Sequence, residues 1–252
     1  MTMRSVLVEA ILPERSMTSE AVHDCLVRML EKLQGVFPPP SAWVSLPRAP
    51  DRGLMPLSNP RGFMERIQRY ADADRVDYGT LPSTVEGVIT TAHTPAAWLS
   101  PGRVEIALRP WFGVCTISLY QPVEAFGRDG TLQMVRSVVA ALAEVLGVLH
   151  IATDVTCALP DGEGFDTYVQ HHRLFPHRRW LGWMGFVPEL VPHRYIPEAA
   201  SVHVVKGCGT IIVSVEGCLD LRNKAHLRQV HEVEARMAQL GLLDLTDATL
   251  LE

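Results

Sequence analysis

Three histidines close together in the chain are the first candidates for chemistry. His171, His172 and His177 belong to the stretch 169–194, which also carries four arginines and two tryptophans. Imidazoles act as metal ligands or as acid–base catalysts near neutral pH. However, His171 and His172 would point to opposite sides of a strand and do not share a helix face. No acidic residue stands at a spacing that would complete a site. The pattern favours exposed or helix-end histidines, with an enzyme using all three as the alternative.

A short acidic segment, PDGEGFD at residues 160–166, precedes the histidines. Asp161, Glu163 and Asp166 partly resemble a calcium-binding loop, whose twelfth position supplies a further carboxylate. That position falls at His172, so the pattern indicates an acidic turn and not a calcium site. Carboxylates that could meet a basic partner lie here and after a later hairpin: Asp161, Glu163, Asp166, Glu216 and Asp220.

Motifs of several common enzyme classes are absent. The chain has no GxxxxGK[ST], GxGxxG, GxSxG or HExxH pattern, so it lacks the usual phosphate loops, nucleophile elbow and helical zinc motif. Its five cysteines are odd in number and contain no CxxC pair. This favours buried free thiols over a zinc site or a disulfide framework. We therefore expect no enzymatic activity, no metal and no cofactor.

The most distinctive local pattern alternates bulky and small residues: Trp180, Gly182, Trp183, Gly185 and Phe186. In a strand, Trp180 and Phe186 would share one face while Trp183 would lie on the other. Two opposed aromatic faces mean either burial on both sides or one exposed anchor for a partner. The two glycines leave room for a neighbouring backbone or a β-bulge.

The elements that must position these residues follow from apolar periodicity, which alternates in strands and repeats every three to four residues in helices. The predicted strands span residues 5–12, 85–92, 103–109, 111–121, 150–159, 180–186, 200–206 and 210–216. The predicted helices span residues 19–33, 60–73, 131–146 and 221–240, the last capped by Asp220. A proline-rich loop, residues 37–59, shows neither period, contains one short extended piece at residues 43–46 and is a candidate functional loop.

This order of elements predicts an α+β fold, in which a mainly antiparallel sheet is covered by helices. With 252 residues the chain is long enough for one compact domain, 1–252, with a sizeable core. Two blocks of three strands followed by a long helix would also allow two similar sheet-plus-helix halves, residues 1–150 and 151–252.

The net charge and the hydropathy of the chain limit the kinds of partner that we expect it to bind. The net charge of −5 and the pI near 6.1 argue against nucleic-acid binding, which normally needs a basic face. No apolar run reaches the roughly 18 to 20 residues that a membrane span requires. The N-terminus does not resemble a secretory signal. We therefore expect a cytoplasmic protein that binds neither nucleic acid nor a membrane.

The segment RRWLGWMGFVP carries a resemblance, together with the preceding YVQHHRLFPH and the following hairpin GCGTIIVSVEG. These segments resemble immunity proteins of bacterial polymorphic-toxin and type VI secretion systems, and they are most similar to the immunity protein 52 family. The resemblance implies a protein that protects its producer by binding one cognate effector. In this family the effector is expected to be a nuclease.

A nuclease active site is basic because it holds phosphates, so carboxylates beside an aromatic anchor would suit its inhibitor. On this hypothesis the partner is a toxin effector protein. The predicted partner-binding residues are Asp161, Glu163, Asp166, Glu216, Asp220 and Trp183. Binding away from the toxin's active site is the alternative mode. A small-molecule-binding module remains an alternative function.

Overall fold

The computed structural model describes residues 3–48, 51–78, 85–159 and 164–243. Within these residues the chain forms one sheet of eleven strands, and its paired strands run antiparallel. The strands are β1 (Met3–Ile11), β2 (Val44–Ser45), β3 (Met55–Pro56), β4 (Gly87–Thr90), β5 (Val104–Arg109), β6 (Val114–Tyr120), β7 (His150–Ala158), β8 (Phe165–Thr167), β9 (Met184–Val187), β10 (Ser201–Val205) and β11 (Gly209–Val213).

Strand β1 lies at the centre of the sheet, between β6 and β7. From edge to edge the order is β10-β11-β9-β7-β1-β6-β5-β4-β2-β3, and β8 pairs with β7. Successive side chains of a strand point to opposite faces. Val6 and Val8 are accordingly fully buried, while Leu7 and Glu9 on the other face are partly exposed. The predicted α+β fold with a mainly antiparallel sheet is confirmed.

Helices lie on both faces of this sheet. They are α1 (Ser19–Lys32), α2 (Pro60–Tyr78), α3 (Pro122–Leu146), α4 (Tyr168–His171) and α5 (Lys224–Gln239). Helices α1 to α3 cover one face, where Phe63 and Val135 join Val8 in the main core. Helix α5 covers part of the opposite face, where Val233 joins Ile212 in a second cluster. None of the helices in the described part of the chain is long and apolar enough to cross a membrane.

Two helix starts differ from the prediction. Helix α5 begins at Lys224, because Asn223 and not Asp220 provides the cap: the Asn223 side chain accepts a hydrogen bond from the Ala225 N–H. Helix α3 begins earlier than predicted, and its φ of 70° at Gly127 bends the first turns away from the rest. The apolar periodicity of the sequence predicts only the part of α3 that follows this bend.

Among the described elements, no long helix covers one half of the face opposite the main core. On β1, β6 and β5 this surface, which we call the open face, consists of side chains that are mostly partly exposed. Register places its members side by side: Leu7, Glu9 and Ile11 of β1, Thr116 and Ser118 of β6, and Glu105, Ala107 and Arg109 of β5.

The tryptophan–glycine stretch forms a shorter strand than predicted. Only Met184–Val187 forms a strand, and Gly182, which adopts a left-handed φ of 67°, makes a single parallel bridge to Thr153 of β7. A side chain at Gly182 would collide with the backbone oxygen of Thr153, and one at Gly185 with that of Ile151. The glycines therefore allow this segment to approach β7 at backbone distance.

The two blocks that suggested similar halves are connected differently. In the first block β4, β5 and β6 are sequential neighbours, and α3 lies on the main-core face. In the second block β11 lies between β9 and β10, and α5 lies on the opposite face. A division into similar halves at residues 1–150 and 151–252 stays a prediction.

Candidate functional site

Two of the predicted acidic residues meet at one end of the sheet, which we call the acidic end. Asp166 in β8 lies opposite Cys157 in β7, and Asp220 follows β11. Both carboxylates act on the Cys157 thiol, whose pKa is raised to about 11, mainly by burial. Asp161 and Glu163 belong to the connection between β7 and β8 and lie outside the described residues.

A cavity of about 250 Å³ opens beside the acidic end. Cys157, Cys218, Arg128 and Asp220 contribute to its lining. Burial raises the pKa of both thiols, so they are protonated near neutral pH, whereas the thiolate is the nucleophilic form. The cavity therefore offers no activated thiol. All five cysteines are free and four of them are buried, as the sequence predicted.

The histidines proposed for the alternative enzyme are only partly brought together. Asp166 Oδ1 lies 2.9 Å from His172 Nε2 and 3.1 Å from His171 Nδ1. The spacing had given no sign of this carboxylate, which reaches the rings because α4 directly follows β8. His177 is exposed. Across the described ranges, no group of three or more His, Cys, Asp or Glu side chains is arranged to hold a metal ion.

Trp183, the predicted aromatic anchor, is fully buried. Its indole N–H donates to the carbonyl oxygen of Gly217 at 2.8 Å. The ring thereby holds the turn between Glu216, which is exposed, and Asp220. Because the core encloses its ring, Trp183 has no surface in this structure for direct contact with a partner. Its effect on the acidic end is to position the turn that follows β11.

One carboxylate that is buried and has three hydrogen-bond donors was not predicted. Glu234 of α5 is 1% exposed. Its Oε1 accepts the backbone N–H groups of Leu181 at 2.9 Å and Gly182 at 3.1 Å. Its Oε2 accepts the hydroxyl of Tyr168 at 2.7 Å. Burial, and then the Glu234 charge, raise the pKa of Tyr168 far above its usual value, so the hydroxyl remains a donor. Glu234 thus joins α5 to α4 and to the tryptophan–glycine stretch.

A second carboxylate pair, which we call the acidic seam, consists of Glu9 in β1 and Asp154 in β7 on the open face. Asp154 lies opposite Leu7, so it is diagonal to Glu9 on the neighbouring strand. Burial raises the pKa of both groups, and the charge of Asp154 raises that of Glu9 further. Asp154 accepts the backbone N–H of Val169 at 3.3 Å. Glu9 has no hydrogen-bond or ion-pair partner within the described ranges.

The other acidic residues beside the seam have cations close by. Arg109 Nε lies 3.3 Å from a Glu86 oxygen, and Arg103 Nη1 lies 3.9 Å from a Glu105 oxygen. The Arg103 guanidinium also stacks 4.1 Å from the ring centre of Trp98. The acidic seam is therefore the part of this surface where negative charge is least compensated.

Comparison with known proteins gives little to add to this geometry. No protein-family model matches the sequence, and no curated protein matches it significantly. Among solved structures, a type VI secretion system (T6SS) protein of Pseudomonas aeruginosa aligns with 91% of this chain and 76% of its own. The TM-score is 0.45 and the sequence identity is 8%. A likeness this distant does not identify a function.

Proposed function

We propose that this protein is an immunity protein that binds and neutralises a cognate secreted toxin, a nuclease effector of a type VI or polymorphic-toxin system. The proposal is supported first by the resemblance of the RRWLGWMGFVP segment and its hairpin to such proteins. Neutralisation would be stoichiometric and would need no chemistry from this chain. It would require only a surface that fits the toxin.

The observation that carries the proposal is the acidic end of the sheet. Asp166 and Asp220 come from distant parts of the chain and converge beside Cys157. Phe165, next to Asp166, is 60% exposed. Carboxylates beside an exposed aromatic ring suit a basic protein surface, because opposite charge speeds encounter and a buried aromatic ring contributes much of the binding energy. The net charge of −5 favours the same kind of partner.

Co-expression tests this function. The secreted effector encoded beside this protein's gene should arrest growth when expressed alone, and this protein should restore growth. The two chains should also co-purify in equal amounts. Failure of both rescue and co-purification would contradict the proposal.

A second candidate function rests on one contact. His172 Nε2 is hydrogen-bonded to Asp166, an arrangement that also orients histidines in acid–base catalysis. If the protein is an enzyme of this kind, His172→Ala should abolish an activity of the purified chain. If it is an immunity protein, His172→Ala should leave growth rescue intact or weaken it only through the position of Asp166.

A further inference from the structure

We propose that the open face is the surface that binds the toxin, and that the acidic seam receives an arginine or lysine side chain of that partner. The inference rests on the proposed function and names the surface and the chemistry of recognition. It places the centre of the interface in the middle of the sheet, with the acidic end as the continuation of the same negatively charged surface.

The first argument is the charge that the fold leaves uncompensated. Arg173 is the cation that acts on Glu9, but its Nη2 is already engaged. It donates to the carbonyl oxygens of Phe175, Pro176 and Arg178, at 3.3, 3.1 and 2.6 Å. Arg173 therefore stabilises the loop after α4, and the carboxylate of Glu9 keeps room for a further donor.

The second argument is access. Glu9 lies opposite Thr116 of β6 on one side and Ala152 of β7 on the other. Both neighbours are short, so a long side chain entering from solvent can reach the carboxylate. Glu9 itself is only partly buried. Glu9 thus lies between two short side chains on the neighbouring strands and between Leu7 and Ile11 on its own strand.

The third argument is the composition of the surroundings. Partly exposed apolar side chains flank Glu9 on its own strand, Leu7 and Ile11, and the small polar residues Thr116 and Ser118 lie beside them on β6. Apolar side chains on either side of a partly desolvated charge are typical of a protein interface.

The fourth argument is continuity with the acidic end. The charge of Asp166 acts on Asp154 as well as on Cys157. The three carboxylates therefore act on one another in order, Asp166 on Asp154 and Asp154 on Glu9. Burial raises the pKa of both seam carboxylates, and backbone N–H groups oppose this rise at Asp154, whereas Glu9 accepts no hydrogen bond from the described residues. A guanidinium or ammonium group from a partner would relieve this cost.

Calorimetric titration tests the surface. The probe is the toxic domain of the effector encoded by the neighbouring gene, purified in catalytically inactive form. Glu9→Lys should weaken binding at least about tenfold, because it places a cation where the partner presents one. Glu9→Gln, which keeps the size of the side chain, should weaken binding by a smaller factor. Both losses should shrink at high salt.

Glu31→Lys is the matched control, since Glu31 is exposed on α1 on the other face of the sheet. It should bind within about twofold of the unsubstituted protein. Normal binding by a folded Glu9→Lys variant would overturn the assignment of the surface, and a loss confined to Asp220→Lys would place the interface at the acidic end instead. If the unsubstituted protein itself does not bind, the proposed function fails and the surface assignment fails with it.

Discussion

Glu234 and Glu9 are two carboxylates on the same side of one sheet, but they differ in burial and in the number of hydrogen-bond donors around them. Glu234, under α5, is almost fully buried and accepts three hydrogen bonds. Glu9, on the open face, is partly exposed, has a raised pKa and has no donor among the described residues. A buried acid with a full set of donors stabilises the architecture, whereas a half-buried acid without them costs stability. We infer that the loss of stability at Glu9 is tolerated because a partner supplies the missing hydrogen-bond donor.

The largest effect is expected from Glu234→Ala. The substitution leaves the N–H groups of Leu181 and Gly182 and the hydroxyl of Tyr168 buried without an acceptor. Each such group costs about 1 to 3 kcal/mol, so the free energy of unfolding should fall by roughly 3 to 5 kcal/mol. Denaturant titration measures this change. Glu232→Ala, on the exposed side of the same helix, is the control and should change little.

A smaller loss is expected from Tyr168→Phe. It removes one of the three donors to Glu234 and keeps the ring in place. The free energy of unfolding should fall by about 1 to 2 kcal/mol, measured in the same way. Tyr195→Phe is the matched control, because Tyr195 is 49% exposed. Equal effects at the two tyrosines would contradict the importance of the Glu234 network.

The smallest effect, and one of opposite sign, is expected from Glu9→Gln. Burial raises the folded-state pKa of Glu9 above its ordinary value of 4.5. The contribution of this group to stability is therefore fully present below the unfolded pKa and is lost as pH rises through the folded pKa. Glu9→Gln removes that loss, so it should raise stability at neutral pH by less than about 1 kcal/mol and flatten the pH dependence above pH 4.5. A decrease in stability of the Glu9→Gln variant at neutral pH would contradict the inference that the Glu9 carboxylate lowers stability.

The fold class could be predicted from the sequence because local periodicity carries it. Strands β1 and β6 and helix α1 are amphipathic and lie close to their predicted bounds. The order of the strands could not be predicted, because β1 pairs with strands more than a hundred residues away in sequence. In the proline-rich loop 37–59, strand β2 lies within the predicted extended piece at residues 43–46, whereas β3 is too brief to show a period.

The sequence predicted acidic site residues only where several carboxylates lie within a few residues of one another. Asp166 was found in the acidic segment 160–166, and Asp220 was found together with Glu216 after the hairpin. Glu234 and Glu9 each interrupt an apolar pattern, a signal that was visible but not decisive. Whether such a carboxylate is hydrogen-bonded depends on donors from other segments. Gly182 and Tyr168 donate to Glu234, and no described residue donates a hydrogen bond to Glu9. The difference between Glu234 and Glu9 therefore becomes visible only in the folded structure.

The most direct measurement is carboxyl footprinting of the free protein and of its complex with the effector. A carbodiimide couples an amine to accessible carboxylates, and mass spectrometry reads the extent at each residue. We predict that Glu9 is modified in the free protein and protected in the complex, while Glu234 is unmodified in both and Glu31 is modified in both. Equal modification of Glu9 in the free and bound protein would contradict the claim that the open face binds the toxin.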